Sequence, residues 1–108
     1  MNLHEQAIKL LLQIPRGQVT TYKALAMALG NPRAARAIGT AMKQNTQPNI
    51  YPCYKVVKSD GHLGGYSSKR GVDEKIERLK KDGVAVKNGK IVDFKNITFT
   101  HFSPARQQ

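Results

Sequence analysis

The fold is decided by residues 20–45, TTYKALAMALGNPRAARAIGTAMKQN, which predict two short helices separated by a tight turn. A threonine pair can cap the first helix, and its apolar side chains recur at helical spacing as far as Leu29. Gly30-Asn31-Pro32 then supplies a helix stop, a candidate cap and a proline suited to the first turn of a helix over residues 32–45. This is the layout of a helix-turn-helix, although any antiparallel helix pair with a glycine turn has a similar pattern.

The second of these helices is both slim and basic. Ile38 and Met42 lie with Ala35 on its predicted inward stripe, while Arg33 and Arg36 point elsewhere. Its many alanines and one glycine would let the backbone approach a narrow surface closely, as in the minor groove of DNA. The same composition also suits helix propensity and close helix packing, so both interpretations remain open.

The charge balance predicts a polyanionic partner. Eighteen Lys and Arg stand against seven Asp and Glu, which gives a formal net charge of +11 and a pI near 10.1. Such an excess strengthens contacts with phosphate backbones without carrying sequence information. We therefore expect nucleic acid rather than a merely solvated basic surface. We expect no membrane contact, because no helix pairs a basic face with a large aromatic one.

The remaining pattern predicts one domain, mainly α with small β elements, of the helix-turn-helix (winged-helix-like) DNA-binding class. An amphipathic helix is expected over residues 2–13, and another from Val72 to a stop at Gly83. Residues 84–92 should form a hairpin around an Asn-Gly turn. The domain is predicted to span residues 1–94, with residues 95–108 as a loose tail.

The only cysteine, Cys53, lies in residues 51–57, YPCYKVV. Pro52 gives it a stiff support, and the two valines that follow suit a short buried strand. A lone cysteine is as often a small core hydrophobe as a nucleophile, so this segment alone leaves both open. One thiol excludes an internal disulfide, and the three scattered histidines offer no metal site. Without a secretory or membrane-spanning segment, we expect a soluble protein in a reducing, cytoplasmic (nucleoid-associated or nuclear) compartment.

A longer pattern runs through the chain in fixed order. It comprises Tyr22-Lys23-x-Leu25-Ala26, the run from Gly30 to Gly39, Asn45, Pro48, Pro52-Cys53, Val56-Val57, Gly64-x-Tyr66-Ser67 and an acid-glycine pair at Asp82-Gly83. In order and spacing, this pattern resembles the C-terminal active domain of O6-alkylguanine-DNA alkyltransferases over about residues 14–83. The N-terminal domain usual in that family has no counterpart here, so a minimal form or a detached catalytic domain is expected.

The resemblance implies repair by direct damage reversal. The slim helix would enter the minor groove, the damaged guanine would be flipped out, and its O6-alkyl (methyl) group would move irreversibly to Cys53 without a cofactor. Tyr22 would press on the target phosphate and Arg36 would fill the gap in the duplex, while Asn45, Tyr54 and Asp82 would complete the thiolate site. Further implied residues are Pro48, Val56, Tyr66, Ser67 and Ser68 for the substrate base, and Lys23, Asn31, Arg33, Ala34, Ala35, Gly39 and Ser59 for DNA. The implied partner is double-stranded DNA containing O6-alkylguanine, bound by a monomer.

Three departures from the family pattern bear on the chemistry. Tyr54 stands where the family has the histidine of a cysteine-histidine-water-glutamate relay, and Lys55 stands where it has arginine. Asp82 replaces the relay glutamate with a side chain one methylene shorter, and the segment from Ser68 to Lys75 is about two residues longer. An ordinary thiol is a few per cent ionised at neutral pH, so full ionisation would raise the reactive fraction by roughly thirtyfold, or about 2 kcal/mol. We therefore predict slower or differently activated transfer rather than an inert protein.

Two other classes of protein share parts of this pattern. Alkyltransferase-like proteins recognise alkylated guanine without transferring the group, but they typically lack the cysteine that is present here. A winged-helix regulator would use the same helices to bind DNA, yet it would leave the Pro-Cys segment and the glycine-rich loop at residues 64–68 without a role.

Overall fold

The computed structural model describes residues 2–66 and 68–103, which form a mainly helical domain with two small sheets. The helices are α1 (Leu3–Leu10), α2 (Tyr22–Ala28), α3 (Ala35–Lys43), α4 (Val72–Lys81) and α5 (Phe94–Ile97), with 3-10 turns at Leu11–Gln13 and Cys53–Lys55. The strands are β1 (Thr20–Thr21), β2 (Val56–Val57), β3 (Val86–Lys87) and β4 (Lys90–Ile91). The predicted fold class is confirmed. No helix in the described ranges is long and apolar enough to span a bilayer.

Helices α2 and α3 form the predicted helix-turn-helix and pack with α1 around one apolar cluster. The Thr21 hydroxyl accepts a hydrogen bond from the Ala24 backbone N–H at 3.0 Å, which caps α2 as predicted. Helix α3 begins later than predicted, because residues 32–34 form a turn in which the Ala34 N–H donates to the Asn31 carbonyl at 2.9 Å. Pro32 therefore precedes the helix and does not occupy its first turn.

A short parallel pair joins the helix-turn-helix to the cysteine segment. Strand β1, immediately before α2, pairs with β2 so that Thr20 faces Val56 and Thr21 faces Val57. Because successive side chains of a strand point to opposite faces, Val56 packs in the cluster formed with α1 to α3 and Val57 in a second cluster with Leu79. Cys53 lies in the 3-10 turn directly before β2, so its segment sits at the border between the two clusters.

The predicted hairpin is confirmed as an antiparallel pair of β3 and β4. Asn88 and Gly89 form its turn with φ values of 52° and 75°, the left-handed conformation that a two-residue hairpin turn of this type requires.

The segment after Phe94 differs from the predicted loose tail. The Val19 N–H donates to the Ile97 carbonyl at 2.9 Å, and the Phe99 N–H donates to the Val19 carbonyl at 2.7 Å. Phe99 and Phe102 also pack against the cluster formed with α1 to α3. Residues 95–103 are therefore part of the domain, a role that their weak apolar pattern did not predict. The rest of the expected tail, residues 104–108, lies outside the described residues.

Candidate active site

Cys53 is nearly buried but borders two cavities. Its exposed fraction is 6%, and as the only cysteine of the sequence it carries a free thiol. A cavity of about 80 Å³ lies between the thiol and α3, lined by Tyr22, Gly39, Met42, Lys43, Gly65 and Tyr66. A second cavity of about 160 Å³ also reaches Cys53 and is lined by Asn45, Pro48, Tyr66, Ser68 and Glu74. Wider cavities of about 230, 400 and 520 Å³ elsewhere on the described surface do not reach the thiol.

Two tyrosines line the smaller cavity together with the thiol. The pKa of Tyr66 is raised to about 12, chiefly by burial and then by the charge of Cys53 and a hydrogen bond with it. Burial also raises the pKa of Tyr22, with the charge of Cys53 as the second cause. Both phenols therefore remain protonated at neutral pH, and Tyr66 supplies a hydrogen-bond donor to the sulfur.

The backbone that carries the thiol is held by Asn45. Its side-chain Nδ2 donates to the Tyr51 carbonyl at 2.8 Å, and its Oδ1 accepts from the Gln47 N–H at 3.0 Å. The same Tyr51 carbonyl accepts from the Cys53 N–H at 2.8 Å. Asn45 therefore fixes the turn before the cysteine.

Asp82 forms a partly buried ion pair with Lys55, which lies two residues after Cys53 in the sequence. Its Oδ2 is 2.7 Å from Lys55 Nζ and accepts from the Gly17 N–H at 3.0 Å. The Lys55 ammonium also donates to the Pro15 carbonyl at 2.8 Å, and its side chain is only 3% exposed. In this structure the carboxylate of Asp82 thus ties α4 to Lys55 and to the segment after α1, and not directly to the sulfur.

Tyr54 is half-buried beside Arg78. The Arg78 guanidinium carbon lies 5.9 Å from the Tyr54 ring centroid, in cation-π range. Arg78 Nη1 also donates to Asn49 Oδ1 at 2.9 Å, and Nε donates to Glu74 Oε2 at 3.3 Å. Burial is the main cause that raises the pKa of Tyr54, and the negative charge of Asp82 is the second. Tyr54 is therefore a neutral phenol at pH 7 and a poor general base.

Lys75 is a buried charge that the sequence interpretation did not single out. Its side chain is 1% exposed, and its ammonium donates to the carbonyls of Val56 at 2.8 Å, Leu63 at 2.5 Å and Gly65 at 3.4 Å. Burial lowers its pKa to about 8, and the nearby charge of Cys53 acts in the opposite direction. Lys75 therefore joins β2 to the loop that carries Tyr66. The sequence offered one sign that Lys75 is buried: it lies three residues after Val72 and four before Leu79, on the apolar face of the predicted helix.

Two residues that were expected to contact DNA or the substrate base instead make contacts within the protein. The Val56 N–H donates to the Cys53 carbonyl and the Val56 carbonyl accepts from Lys75, so a base edge would have to share that carbonyl. Ala34 is 6% exposed and belongs to the core, so its side chain is packed inward and is not presented to DNA. Ser67, a predicted substrate contact, lies outside the described residues.

The other predicted DNA contacts lie on the surface of the helix-turn-helix and the turn after β2. Gly39 faces the smaller cavity, and a Cβ added there would meet no atom within 4 Å. Ala35 is half-buried on the same helix. The exposed members of the set are Lys23, Asn31, Arg33, Arg36 and Ser59. No group of three or more His, Cys, Asp or Glu within the described ranges could hold a metal ion.

These features define a helix-turn-helix domain whose second helix borders a cavity that contains a cysteine. The sequence profile of the family described as "6-O-methylguanine DNA methyltransferase, DNA binding domain" matches residues 2–84. The chain belongs to this family.

Relatives and solved structures point the same way. The chain is 50% identical over 102 residues to the "Bifunctional methyltransferase/endonuclease" of Picrophilus torridus, covering 94% of this chain but 33% of that protein. It is 42% identical over 86 residues to the human "Methylated-DNA--protein-cysteine methyltransferase", covering 75% of this chain and 42% of the relative. The chain thus spans about a third of the bifunctional relative and under half of the human one.

Among solved structures, S. pombe Atl1 in complex with DNA containing O6-carboxymethylguanine superimposes with a TM-score of 0.80 at 25% identity, covering 90% of this chain and 94% of that one. Mycobacterium tuberculosis OGT in complex with DNA gives a TM-score of 0.71 at 34% identity, covering 77% of this chain and 49% of that one.

Proposed function

We propose that this chain is an active alkyltransferase domain that moves the O6-alkyl group of guanine in duplex DNA to Cys53. The bond from the alkyl carbon to O6 breaks as the bond from that carbon to Sγ forms. The departing electron pair stays on the guanine, which takes up at N1 a proton equivalent to the one that the thiol lost. The protein is consumed stoichiometrically, and no cofactor is needed.

The observation that carries this proposal is the position of the thiol. Cys53 borders a cavity whose opposite wall is α3, the second helix of the helix-turn-helix, through Gly39 and Met42. Arg36 is one turn before Gly39, exposed on the same helix. A helix docked in the minor groove through Arg36 would therefore bring a flipped base toward the sulfur.

DNA is the proposed partner on grounds of charge as well as kinship. The formal net charge of +11 favours phosphate contacts, and Lys23 and Arg33 are exposed on or beside the helix-turn-helix. Within the pocket, we propose that Tyr22 positions the target phosphate and that Tyr66 and Pro48 hold the substituted base. The Tyr66 hydroxyl, which stays protonated beside Cys53, donates a hydrogen bond to the sulfur.

The decisive experiment is transfer from a duplex that contains O6-methylguanine. We expect the tryptic peptide containing Cys53 to gain about 14 Da, one methylene, in a one-to-one reaction, and Cys53→Ser to gain nothing. Tyr54→His restores the family base and is expected to speed transfer by up to about thirtyfold, the limit set by complete thiol ionisation. An unmodified wild-type peptide after prolonged incubation, with methyl retained on the DNA, refutes transfer.

Damage recognition without transfer is a second candidate, favoured by one specific observation. The likeness to S. pombe Atl1 extends over 94% of that chain, and it was solved with damaged DNA. Under this alternative the protein would bind an O6-alkylguanine duplex more tightly than the unmodified duplex, while Cys53 stayed unmodified. Measuring affinity and peptide mass on the same sample separates the two candidates.

A further inference from the structure

We propose that the hairpin of β3 and β4 is a second DNA-binding element, which contacts the phosphate backbone beside the helix-turn-helix through Lys87 and Lys90. This inference rests on the proposed function, in which duplex DNA is the partner, and adds a binding surface to it. Neither lysine is among the DNA contacts that the sequence pattern implied.

The strand register places two like charges against each other. Lys87 lies directly opposite Lys90, and Val86 lies opposite Ile91. The side chains of a strand alternate between its faces. Because Ile91 packs in the second apolar cluster, the two lysines share the outward face, and both are exposed. Like charges directly opposite on neighbouring strands are unfavourable. An anion that lies over this pair would relieve the repulsion, and a DNA phosphate is such an anion.

Neither ammonium group of the hairpin forms an ion pair with a described residue. The ion pairs found in the described part of the chain all use other cations. Asp60, in the turn after β2, supplies the nearest carboxylate in that turn, but it accepts from the His62 N–H at 3.0 Å and lies 2.9 Å from His62 Nδ1. The charges of Lys87 and Lys90 are therefore available to an external polyanion.

The hairpin is held against the turn after β2 by backbone hydrogen bonds. The Leu63 N–H donates to the Gly89 carbonyl at 3.1 Å, and the Ile91 N–H donates to the Gly61 carbonyl at 2.9 Å. A Cβ on Gly61 would lie 3.1 Å from the ring of Phe94, so the first residue of α5 packs closely against the same turn. The lysines thus stand on a fixed backbone, which reduces the ordering that binding must supply.

The same turn places the hairpin near Tyr22, the residue proposed to position the target phosphate. A Cβ on Gly64 would lie 3.6 Å from the Tyr22 hydroxyl and 3.7 Å from Lys58 Cγ, so these two side chains are neighbours. Leu63, the residue before Gly64, is the one that donates to the hairpin turn. A duplex whose phosphate lies at Tyr22 therefore passes close to Lys58 and to the hairpin, and one duplex can contact both elements.

The test measures how binding of an unmodified duplex depends on salt, by fluorescence anisotropy. Each phosphate contact contributes about 0.9 to the slope of log affinity against log salt concentration, so Lys87→Gln with Lys90→Gln should lower that slope by about 1.8. The same variant should bind at least about tenfold more weakly at about 0.1 M salt. An unchanged slope overturns the inference.

A matched control removes the same charge from other surfaces. Lys9→Gln with Lys80→Gln alters exposed lysines of α1 and α4. Its slope should stay close to that of the parent, because charges more than about 10 Å from the DNA are largely screened at about 0.1 M salt. Equal losses in the two double variants would reflect overall charge alone and would overturn the inference.

Two further measurements separate the charge of the hairpin from its folding. Lys87→Arg with Lys90→Arg keeps both charges and should keep the slope of the parent, and a slope as low as that of the glutamine variant counts against phosphate contacts. The glutamine variant lacks the repulsion between opposite lysines, so it should unfold at the same or a higher temperature than its parent. A lower unfolding temperature would attribute the weaker binding to a folding defect and would also count against the inference.

Methyl transfer from an O6-methylguanine duplex by the unaltered chain is measured separately. If the glutamine variant loses slope and affinity while the unaltered chain transfers no methyl, the proposed function fails and the DNA-binding hairpin stands. If methyl is transferred and the glutamine variant binds as its parent does, only the hairpin surface fails.

Discussion

Replacing Lys75 by methionine is expected to change stability in a strongly pH-dependent way. Methionine fills a similar volume but cannot donate to the three carbonyls that the ammonium now contacts, at 2.8, 2.5 and 3.4 Å. Two opposing effects follow from the substitution. The carbonyls lose their donor, which is unfavourable, and the protein no longer buries a charge, which is favourable.

The pKa of Lys75 sets the size of the pH dependence. Burial lowers it from 10.5 to about 8, and each pKa unit corresponds to about 1.4 kcal/mol, so burying the ammonium costs about 3 kcal/mol below pH 8. Between pH 8 and 10.5 the unfolded chain binds more protons at this site than the folded one, so stability rises with pH in that window. Below pH 8, the methionine variant avoids this burial cost but loses the hydrogen bonds of the ammonium, and the two effects nearly cancel. We expect Lys75→Met to be almost neutral at pH 7 and about 3 kcal/mol less stable than its parent near pH 10.

Urea denaturation at half-unit steps from pH 7 to pH 10.5 measures this difference. A Cys53→Ser background removes the thiolate, whose charge interacts with Lys75. Lys80→Met, on the exposed side of α4, is the matched control and should show no pH-dependent difference from its parent. If the gap between parent and Lys75→Met stays constant over this range, the ammonium carries no burial penalty and the reasoning is refuted.

Two further predictions concern the ion pair of Asp82 and the segment after α5. Asp82→Asn leaves the buried Lys55 charge unpaired and should lower the free energy of unfolding by about 3–5 kcal/mol, measured by thermal or urea denaturation. Glu77→Gln, the control, breaks an exposed pair with Arg70 and should leave the transition nearly unchanged. Equal effects of the two variants would contradict the buried pair. A chain that ends after residue 94 should be about 3 kcal/mol less stable than a chain that ends after residue 103, because the contacts of Phe99 are lost. Coincident unfolding curves for the two chains would show that residues 95–103 add no stability.

The features that could be predicted from the sequence are those encoded by a few adjacent residues. The cap of α2 at Thr21, the glycine turn at Gly30 and the hairpin at Asn88-Gly89 each depend on local backbone chemistry, and the structure confirms all three. The cysteine and the tyrosines around it were found through a pattern spread along the chain, and the structure brings Tyr22 and Tyr66 to the same sulfur.

The features that escaped prediction depend on contacts between distant residues. Lysines along a helix usually indicate a solvent-exposed face. The burial of Lys75 depends on the carbonyls of Val56 and Leu63, which are distant in sequence, so it could not be predicted from the helix alone. The segment around Phe99 has weak apolar periodicity. It is held in the domain by backbone hydrogen bonds to Val19, which lies about 80 residues earlier in the sequence. Residues 32–34 form a turn although Pro32 favours a first helical turn, because Ala34 packs into the core instead.

The ionic contact at Asp82 has a consequence for how the protein is made. Asp82 holds Gly17, 65 positions earlier, and Lys55 reaches back 40 positions to Pro15. A ribosome releases the chain from its amino end, so the ion pair that supports the Cys53 segment is incomplete until the end of α4 has emerged. This segment is thus stabilised only at a late stage of synthesis, and an interrupted translation product that lacks α4 carries Cys53 without that support.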